Sequence, residues 1–510
     1  EVIHDMTEVK NGEILGRLTK LDLSEARIVG GEQYGGGQYL EDDAFGDYFF
    51  HQCKILNTII LPVTLKKING GAFRNTSLTS VTIPKTVTQI AGSAFEQSTL
   101  TSIEVEEGNE VYYSQNNAIY EKATGVLIRG CKASGIPEGV VEIGDNAFAS
   151  AGLESIVLPN SLKKIGAQAF AYNGNVKDLY IPASVTEIGD LAFFDCTPLA
   201  ITVDGGHPVF DSRDNCNAII ETATNKLIQA SEGTTIPATV TTIGTDAFAR
   251  INMPMLDIPQ TVTKMESAGL SEIYTNTIKV HYPTPPNLGE SCFGMMGGHV
   301  RLIVPNGTKE LYANAAEWNT FTEYERAIVE ETAYAENRIQ TISVETAGTL
   351  ESKITTDTRK LLEEAKIEGP LNGKDIKLLR ELSKQEGILR SIDLSDASIV
   401  DGEGTTANIL PESAFNTTSV LEHIILPKNL TAIERFAFQD SGIKELVLPK
   451  TVASLGRDIT YYCRNLEALS VEAGNPVFDS RNNCNAIIET ATNTLRIGCV
   501  NTVIPETVTA

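Results

Sequence analysis

Tryptophan occurs once in this chain, at Trp318, and all aromatic residues together make up only 6% of it. Binding sites for sugars usually offer exposed rings beside carboxylates and amides, so this composition argues against a carbohydrate surface built on stacking. Positive charge is also scarce. Lys and Arg total 41 against 66 Asp and Glu, a formal net charge of −25, and no local basic cluster reverses the balance. That sign repels phosphate backbones and anionic lipid headgroups, which excludes nucleic acid and membrane surfaces as partners. No apolar run approaches the roughly 18 residues of a spanning helix, so no direct membrane insertion is expected of this segment.

Chemistry-bearing motifs are missing as well. There is no C-x-x-C pair for a structural zinc, and no G-x-S-x-G nucleophile elbow. The six histidines, His4, His51, His207, His281, His299 and His423, stand in unrelated contexts. The glycine-rich stretch from Gly30, GGEQYGGGQY, lacks the Lys-Ser/Thr of a phosphate loop and reads as a flexible connector. With 66 acids, accidental carboxylate pairs are plentiful, but no spacing places two of them across a cleft. No catalytic residue, cofactor or metal is therefore expected, and the chain is read as a non-enzyme.

What the sequence has in abundance is glycine, proline and repetition, with 41 Gly and 20 Pro in 510 residues. The segment from Leu78, LTSVTIPKTVTQIAGSAF, recurs from Leu153, Val176 and Leu421 on the template L-x-x-I-x-I-P-x-x-V-x-x-I-G-x-x-A-F. Pro62, Pro84, Pro137, Pro159, Pro182, Pro237 and Pro427 are each followed 11 residues later by a phenylalanine. Units of 22 or 23 residues lie in the range of a solenoid coil. Alternation before the proline predicts a short strand with Val81 and Ile83 inward. Proline ends that strand, Val87 and Ile90 point inward from a second extended piece, glycine supports the next corner, and Ala-Phe plugs the third side. One coil cannot bury these residues alone, so neighbours must stack.

Longer inserts, themselves copies of one another, begin at Asn109, His207 and Asn475; apolar runs around an A-T-G or A-T-N turn predict a β-hairpin in each. The fold class expected is an α/β leucine-rich-repeat solenoid, β-dominated, in two arrays with helical caps. Residues 1–328 read as a first array with a truncated N-terminal cap and a C-terminal lid around Trp318 and Phe321. The polar stretch 329–340 reads as a linker, and 341–510 as a second cap and array cut short at its end. The second cap should hold a helix carrying Ile376, Leu379 and Leu382, started by Asn372 or Asp375. The repeat weakens over 253–300, where Leu270 takes the phenylalanine position, and over 450–465, where Thr460 does.

The template, the inserts and the helical cap resemble the BspA-like bacterial leucine-rich-repeat surface proteins over nearly the whole chain. The resemblance implies a secreted or surface-displayed protein, and several members of the family are described as adhesins engaging host proteins. No signal sequence is present, but the chain opens at Glu1 and stops at Ala510 inside recognisable units and reads as a fragment, so that absence says little about export.

Among the eight cysteines, Cys53, Cys196 and Cys463 fall three residues past the phenylalanine position, where other coils carry small residues. The inserts hold Cys131 alone, Cys216 alone, and Cys484 with Cys499, too irregular for a shared bridge; Cys484–Cys499 is the one pair that invites a disulfide test. The oxygen-rich turns at Asp211 and Asp479 suggest calcium but lack the order of an EF-hand loop, and Asx turns explain them equally well. What remains is the outer face of the strand ladder. There, Thr58, Thr79, Glu154, Lys177, Tyr180, Glu422, His423 and Lys444 are expected to stack in register as a surface for an extended partner. The partner expected is an extracellular or host protein, with a glycan of a polysaccharide uptake system, or a passive spacer role, as the other readings.

Overall fold

The proline of each repeat decides where a strand stops. In Ser80–Ile83, Val81 and Ile83 are buried while Ser80 and Thr82 face out. Pro84, with no N–H to offer a ladder, ends the strand. Its carbonyl then accepts from the Val87 N–H at 3.1 Å, closing a turn, and the same bond recurs from Leu65 to Pro62, Leu162 to Pro159 and Val185 to Pro182. A second short strand follows, Gln89–Ile90, and then the buried Ala94-Phe95 pair. The inward residues expected from the pattern are the buried ones.

In the computed structural model of the chain, residues 9–509 are described apart from 11–12, 15–17, 35–37, 199, 298, 324–325 and 385–386. The residues fall into two units, Glu1–Val300 with Leu311–Thr320, and Arg301–Glu310 with Phe321–Ala510. Both are β-dominated solenoids of stacked coils.

In the first unit, equivalent strands pair in parallel at one-coil offset: Ser80 lies opposite Ser102 and Ile83 opposite Val105. A second parallel ladder runs through Glu142–Ile143, Lys164–Ile165 and Glu187–Ile188. The phenylalanines form the third side as stacked rings. Phe73 and Phe95 are 5.1 Å apart and 3° from parallel, and Phe148, Phe170 and Phe193 continue the pattern at 5.3 and 5.6 Å. Those distances are close to the ~4.8 Å spacing of adjacent strands, because the backbone pitch fixes the ring pitch. Glycine follows the second strand because coils approach closely there. A Cβ on Gly189 would sit 2.5 Å from the Ala167 nitrogen, and one on Gly166 2.6 Å from that of Asp145.

The inserts extend beyond the expected hairpin. Tyr112–Gln115, Ala118–Glu121 and Leu127–Arg129 form an antiparallel three-strand meander, and its last strand rejoins the coils in parallel with Leu127 opposite Ile143. The weak repeats keep their coils: Leu256 pairs with Ile278, and Leu270 is fully buried in the phenylalanine position. Trp318 is buried against Phe293 and Tyr312, its Nε1 donating to the Pro286 carbonyl at 2.9 Å, while Phe321, the other residue expected in the lid, groups with the second unit. The Gly30 stretch forms two antiparallel strands, Gly31–Tyr34 and Gln38–Leu40, while its Gly35–Gly37 tip lies outside the described residues.

In the second unit, residues 329–340 carry regular structure where a linker was expected: the end of strand Ala327–Glu330, helix Glu331–Asn337 and the start of strand Ile339–Ser343. Residues 301–310 and 321–328, assigned from sequence to the first array, group with this unit. The cap helix Gly373–Leu382 starts at Asn372 with a capping box to Asp375, and Ile376 and Leu379 are buried. Strands Ile339–Ser343, Glu364–Leu371, Ser391–Ile399 and His423–Ile425 then run parallel into the coils. Phe415 and Phe438 stack at 5.9 Å. Where Thr460 replaces phenylalanine, the adjacent Ile459 is the buried side chain. Among the described residues no helix is long and apolar enough to cross a membrane.

Candidate functional site

Counting back from the proline sorts the outer strand face into columns. Five residues before it stand Asn57, Thr79, Glu154, Lys177, Glu422 and Lys444; four before, Thr58, Ser80, Ser155, Asp178, His423 and Glu445. The eight residues expected in one register therefore occupy three columns. Thr79 donates its N–H to the Asn57 carbonyl at 3.3 Å and so stacks on Asn57, not on Thr58, whose neighbour across the ladder is Lys20. The reason is that the strands begin four residues before the proline, at Ser80, Asp178 and Glu445, so the residue five before it lies ahead of the strand and outside its alternation.

The first column is an ion ladder. In the second unit Arg338, Glu363, Arg390, Glu422, Lys444 and Glu467 follow one another through successive backbone bonds, alternating in sign. Glu422 accepts from Arg390 at 3.0 Å and from Lys444 at 2.6 Å, and Glu363 accepts from Arg301 at 2.6 Å. Burial pushes the Glu422 carboxyl up, but Lys444 and Arg390 outweigh it and hold it below the ordinary range. In the first unit Lys132 binds Glu154 at 2.7 Å and Lys177 adds its field, so the Glu154 carboxyl is also held low. Arg390 and Lys444 on Glu422, Arg301 and Arg338 on Glu363, and Lys132 on Glu154 thus satisfy one another. His423, in the second column, likewise pairs with Glu445 at 3.4 Å.

The third column, two residues before the proline, was missed except at Tyr180. It holds Thr82 and five apolar or aromatic side chains, Ile60, Val157, Tyr180, Ile425 and Val447, which are 50%, 76%, 45%, 56% and 44% exposed. Apolar side chains thus stand in the open on a rigid ladder beside paired charges. Reading positions relative to the proline would have found them in the sequence. Tyr180 donates its hydroxyl to the Asp204 carboxylate, which raises the phenol above its ordinary range.

The other sequence candidates resolve into structural roles. The turn at Asp211 is an arginine fork: Arg213 Nε and Nη2 donate to the two carboxylate oxygens at 2.6 and 2.5 Å, and Thr222 adds a bond at 2.8 Å. Asp479 is held the same way by Arg481 at 2.8 and 2.6 Å. The oxygens that suggested calcium are engaged by guanidinium. Among the described residues no cysteine forms a disulfide, Cys484 and Cys499 included. The slot three past the phenylalanine accepts small side chains that donate: Cys196 Sγ to the Phe170 carbonyl at 2.9 Å, Thr76 to Phe73 at 2.8 Å and Thr418 to Phe415 at 2.7 Å. Burial pushes the Cys196 thiol up to about 12, far from a nucleophile's range.

His4 lies outside the described residues. His207 opens its insert where Asn109 and Asn475 open theirs. Asn109 Oδ1 accepts from Val111 and Tyr112 while its Nδ2 donates to the Pro84 and Val87 carbonyls at 3.1 and 2.9 Å. His207 Nδ1 accepts the matching pair from Val209 and Phe210 at 3.1 and 3.0 Å, which assigns the proton to Nε2. Its buried Nε2 faces the Pro182 and Val185 carbonyls, the counterparts of those that Asn109 serves, without good hydrogen-bond geometry to either. Burial lowers the His207 pKa, against the pull of Asp204. The unfolded chain therefore takes the proton first as pH falls. The neutral ring's contribution is complete above about 6.5 and is lost as pH drops through the depressed folded value. His207→Asn should bond like its counterparts and exceed the wild type by about 1 kcal/mol at pH 5. Urea midpoints at pH 7 and pH 5 test this; equal pH slopes for the two proteins would refute it.

The family model described as the BspA type leucine rich repeat region matches in six copies, over residues 43–124, 129–205, 226–324 and 402–496. The chain belongs to that family. Among solved structures, a leucine rich cell surface protein from Faecalibacterium prausnitzii A2-165 is similar at 17% identity, covering 93% of this chain and 91% of its own, with a TM-score of 0.27. A leucine-rich repeat protein from Eubacterium ventriosum is 16% identical over 84% of this chain and 90% of its own, with a TM-score of 0.29. The pneumococcal vaccine antigen PcpA is 16% identical over 80% of this chain and 68% of its own, at 0.24. No curated protein matches. Membership of the BspA-type family rests on the repeat, whose prolines and phenylalanines are the residues that shape each coil.

Proposed function

We propose that this BspA-type chain is a non-catalytic scaffold displayed at a cell surface or secreted, binding an extracellular protein through its strand face in an adhesin-type role. The observation that carries the reading is the third column, where Val157 and Tyr180 in one unit and Ile425 and Val447 in the other are exposed on a rigid backbone. Exposed apolar side chains in a row suit a partner that desolvates them, while the paired charges beside them set orientation more than affinity. Extended partners fit because the columns run along the stack of coils.

Immobilised extracellular-matrix and mucosal proteins provide the test. A saturable interaction should weaken at least about tenfold in Val157→Lys/Tyr180→Lys or Ile425→Lys/Val447→Lys, with thermal stability little changed at exposed positions. A folded chain that binds none of those proteins would sink the proposal. The exposed Tyr180 beside Asp204 favours glycan capture as a second reading, and a glycan array without signal would remove it.

A further inference from the structure

Where an insert enters the first unit, the second ladder breaks, and the break leaves a seam. One ladder stops at Gln89–Ile90 before the strand Tyr112–Gln115 begins another; the next stops at Glu187–Ile188 before Phe210–Asp211. At the first seam Arg129 fills the gap. Its Nη1 donates to the carbonyls of Gly92, Asn146 and Ala149 at 3.3, 3.0 and 3.1 Å, and its Nη2 to that of Phe95 at 3.0 Å. Only 2% of the residue is exposed.

At the second seam Gln229 takes the place of Arg129, each two residues past the leucine of its strand. Its shorter amide turns aside to the Ala230 carbonyl at 2.9 Å, and a cavity of about 540 Å³ opens. Its lining includes Asp190, Phe193 and Asp246, which stand where Gly92, Phe95 and Asn146 hold Arg129 at the first seam. Loss of the internal guanidinium thus coincides with gain of two carboxylates. Phe193, Phe210 and Ile219 supply an apolar wall. The lysine in the lining, Lys226, is bound to Glu266 at 2.6 Å. The cavity beside the third insert, about 360 Å³, is lined by two arginines of its own, Arg457 and Arg496. The fold also brings together here acids that no spacing in the sequence paired.

We infer that the second seam is a receptor for an arginine side chain presented by a partner protein, its guanidinium taking the place that Arg129 fills internally at the first seam. The methylene stem lies on the phenyl wall, and the head meets the Asp190 and Asp246 carboxylates together with backbone carbonyls. Planar, multiply donating guanidinium suits this set better than the point charge of an ammonium. The residues are distinct from the strand face, so failure of either proposal leaves the other standing.

Titration of the full chain with Nα-acetyl-arginine amide, followed by NMR, tests the assignment against the citrulline and lysine amides. The arginine amide should bind at least about tenfold more tightly than uncharged citrulline. Gln229→Arg should abolish binding and raise the melting temperature, and Asp190→Asn/Asp246→Asn should abolish binding while the fold persists, which keeps the test valid should Gln229→Arg fail to fold. Equal binding of citrulline, equal binding of lysine, or unchanged binding in folded Gln229→Arg or in the double variant would each overturn it.

Discussion

Phe170→Ala is expected to remove about 3–5 kcal/mol from the first unit. The ring is fully buried between Phe148 and Phe193, nearly parallel to both at 5° and 4°. Truncation leaves a cavity that cannot collapse, because hydrogen bonds between coils fix the pitch on either side: Phe148 donates its N–H to the Ala169 carbonyl at 2.7 Å and Phe170 to that of Ala192 at 2.8 Å. Domain stabilities are about 5–15 kcal/mol, so this is a large share. In a solenoid each coil touches only its neighbours, and the loss should also break cooperativity into two urea transitions. A single transition with a loss under about 1 kcal/mol would show that the ring stack does not hold the array together.

Arg129→Met should cost roughly 3–5 kcal/mol for a different reason. Methionine fills much of the volume but donates nothing, leaving the four carbonyls it served, those of Gly92, Phe95, Asn146 and Ala149, without that donor inside the fold. Burial lowers the Arg129 pKa to about 10, with the nearby Glu96 opposing, so at neutral pH the charge stays and must be matched where it sits. Arg129→Lys should recover only part of the loss, since an ammonium has three donors and no planar fork. Chemical denaturation of the three proteins at pH 7 checks the order. Equal stability of Met and wild type would mean that water serves those carbonyls as well as guanidinium does.

The coil was legible because its determinants are local. Proline has no N–H, glycine admits close approach, and alternation around Val81 and Ile83 names the buried face, so a stretch such as Leu78–Phe95 states its own path. The same alternation held the exposed column, yet Ile60, Val157, Ile425 and Val447 look like core residues by composition; their register to the proline is what turns them outward. The turns at Asp211 and Asp479 were ambiguous for the opposite reason. Their oxygens were visible in sequence, but the forks from Arg213 and Arg481 depend on a side-chain direction that spacing does not encode.

The sequence by itself thus determined the family, the coil, the phenylalanine on its third side and the capping helix. Only the tertiary structure decided which charges neutralise one another, that Arg129 closes one seam, and that Gln229 leaves another open beside Asp190 and Asp246. Arg129 reaches carbonyls 17 to 37 residues away along the chain. Repetition fixes what each coil contributes, but an insert changes which coil stands next to which, and hydrogen bonds across that junction form between neighbours in space.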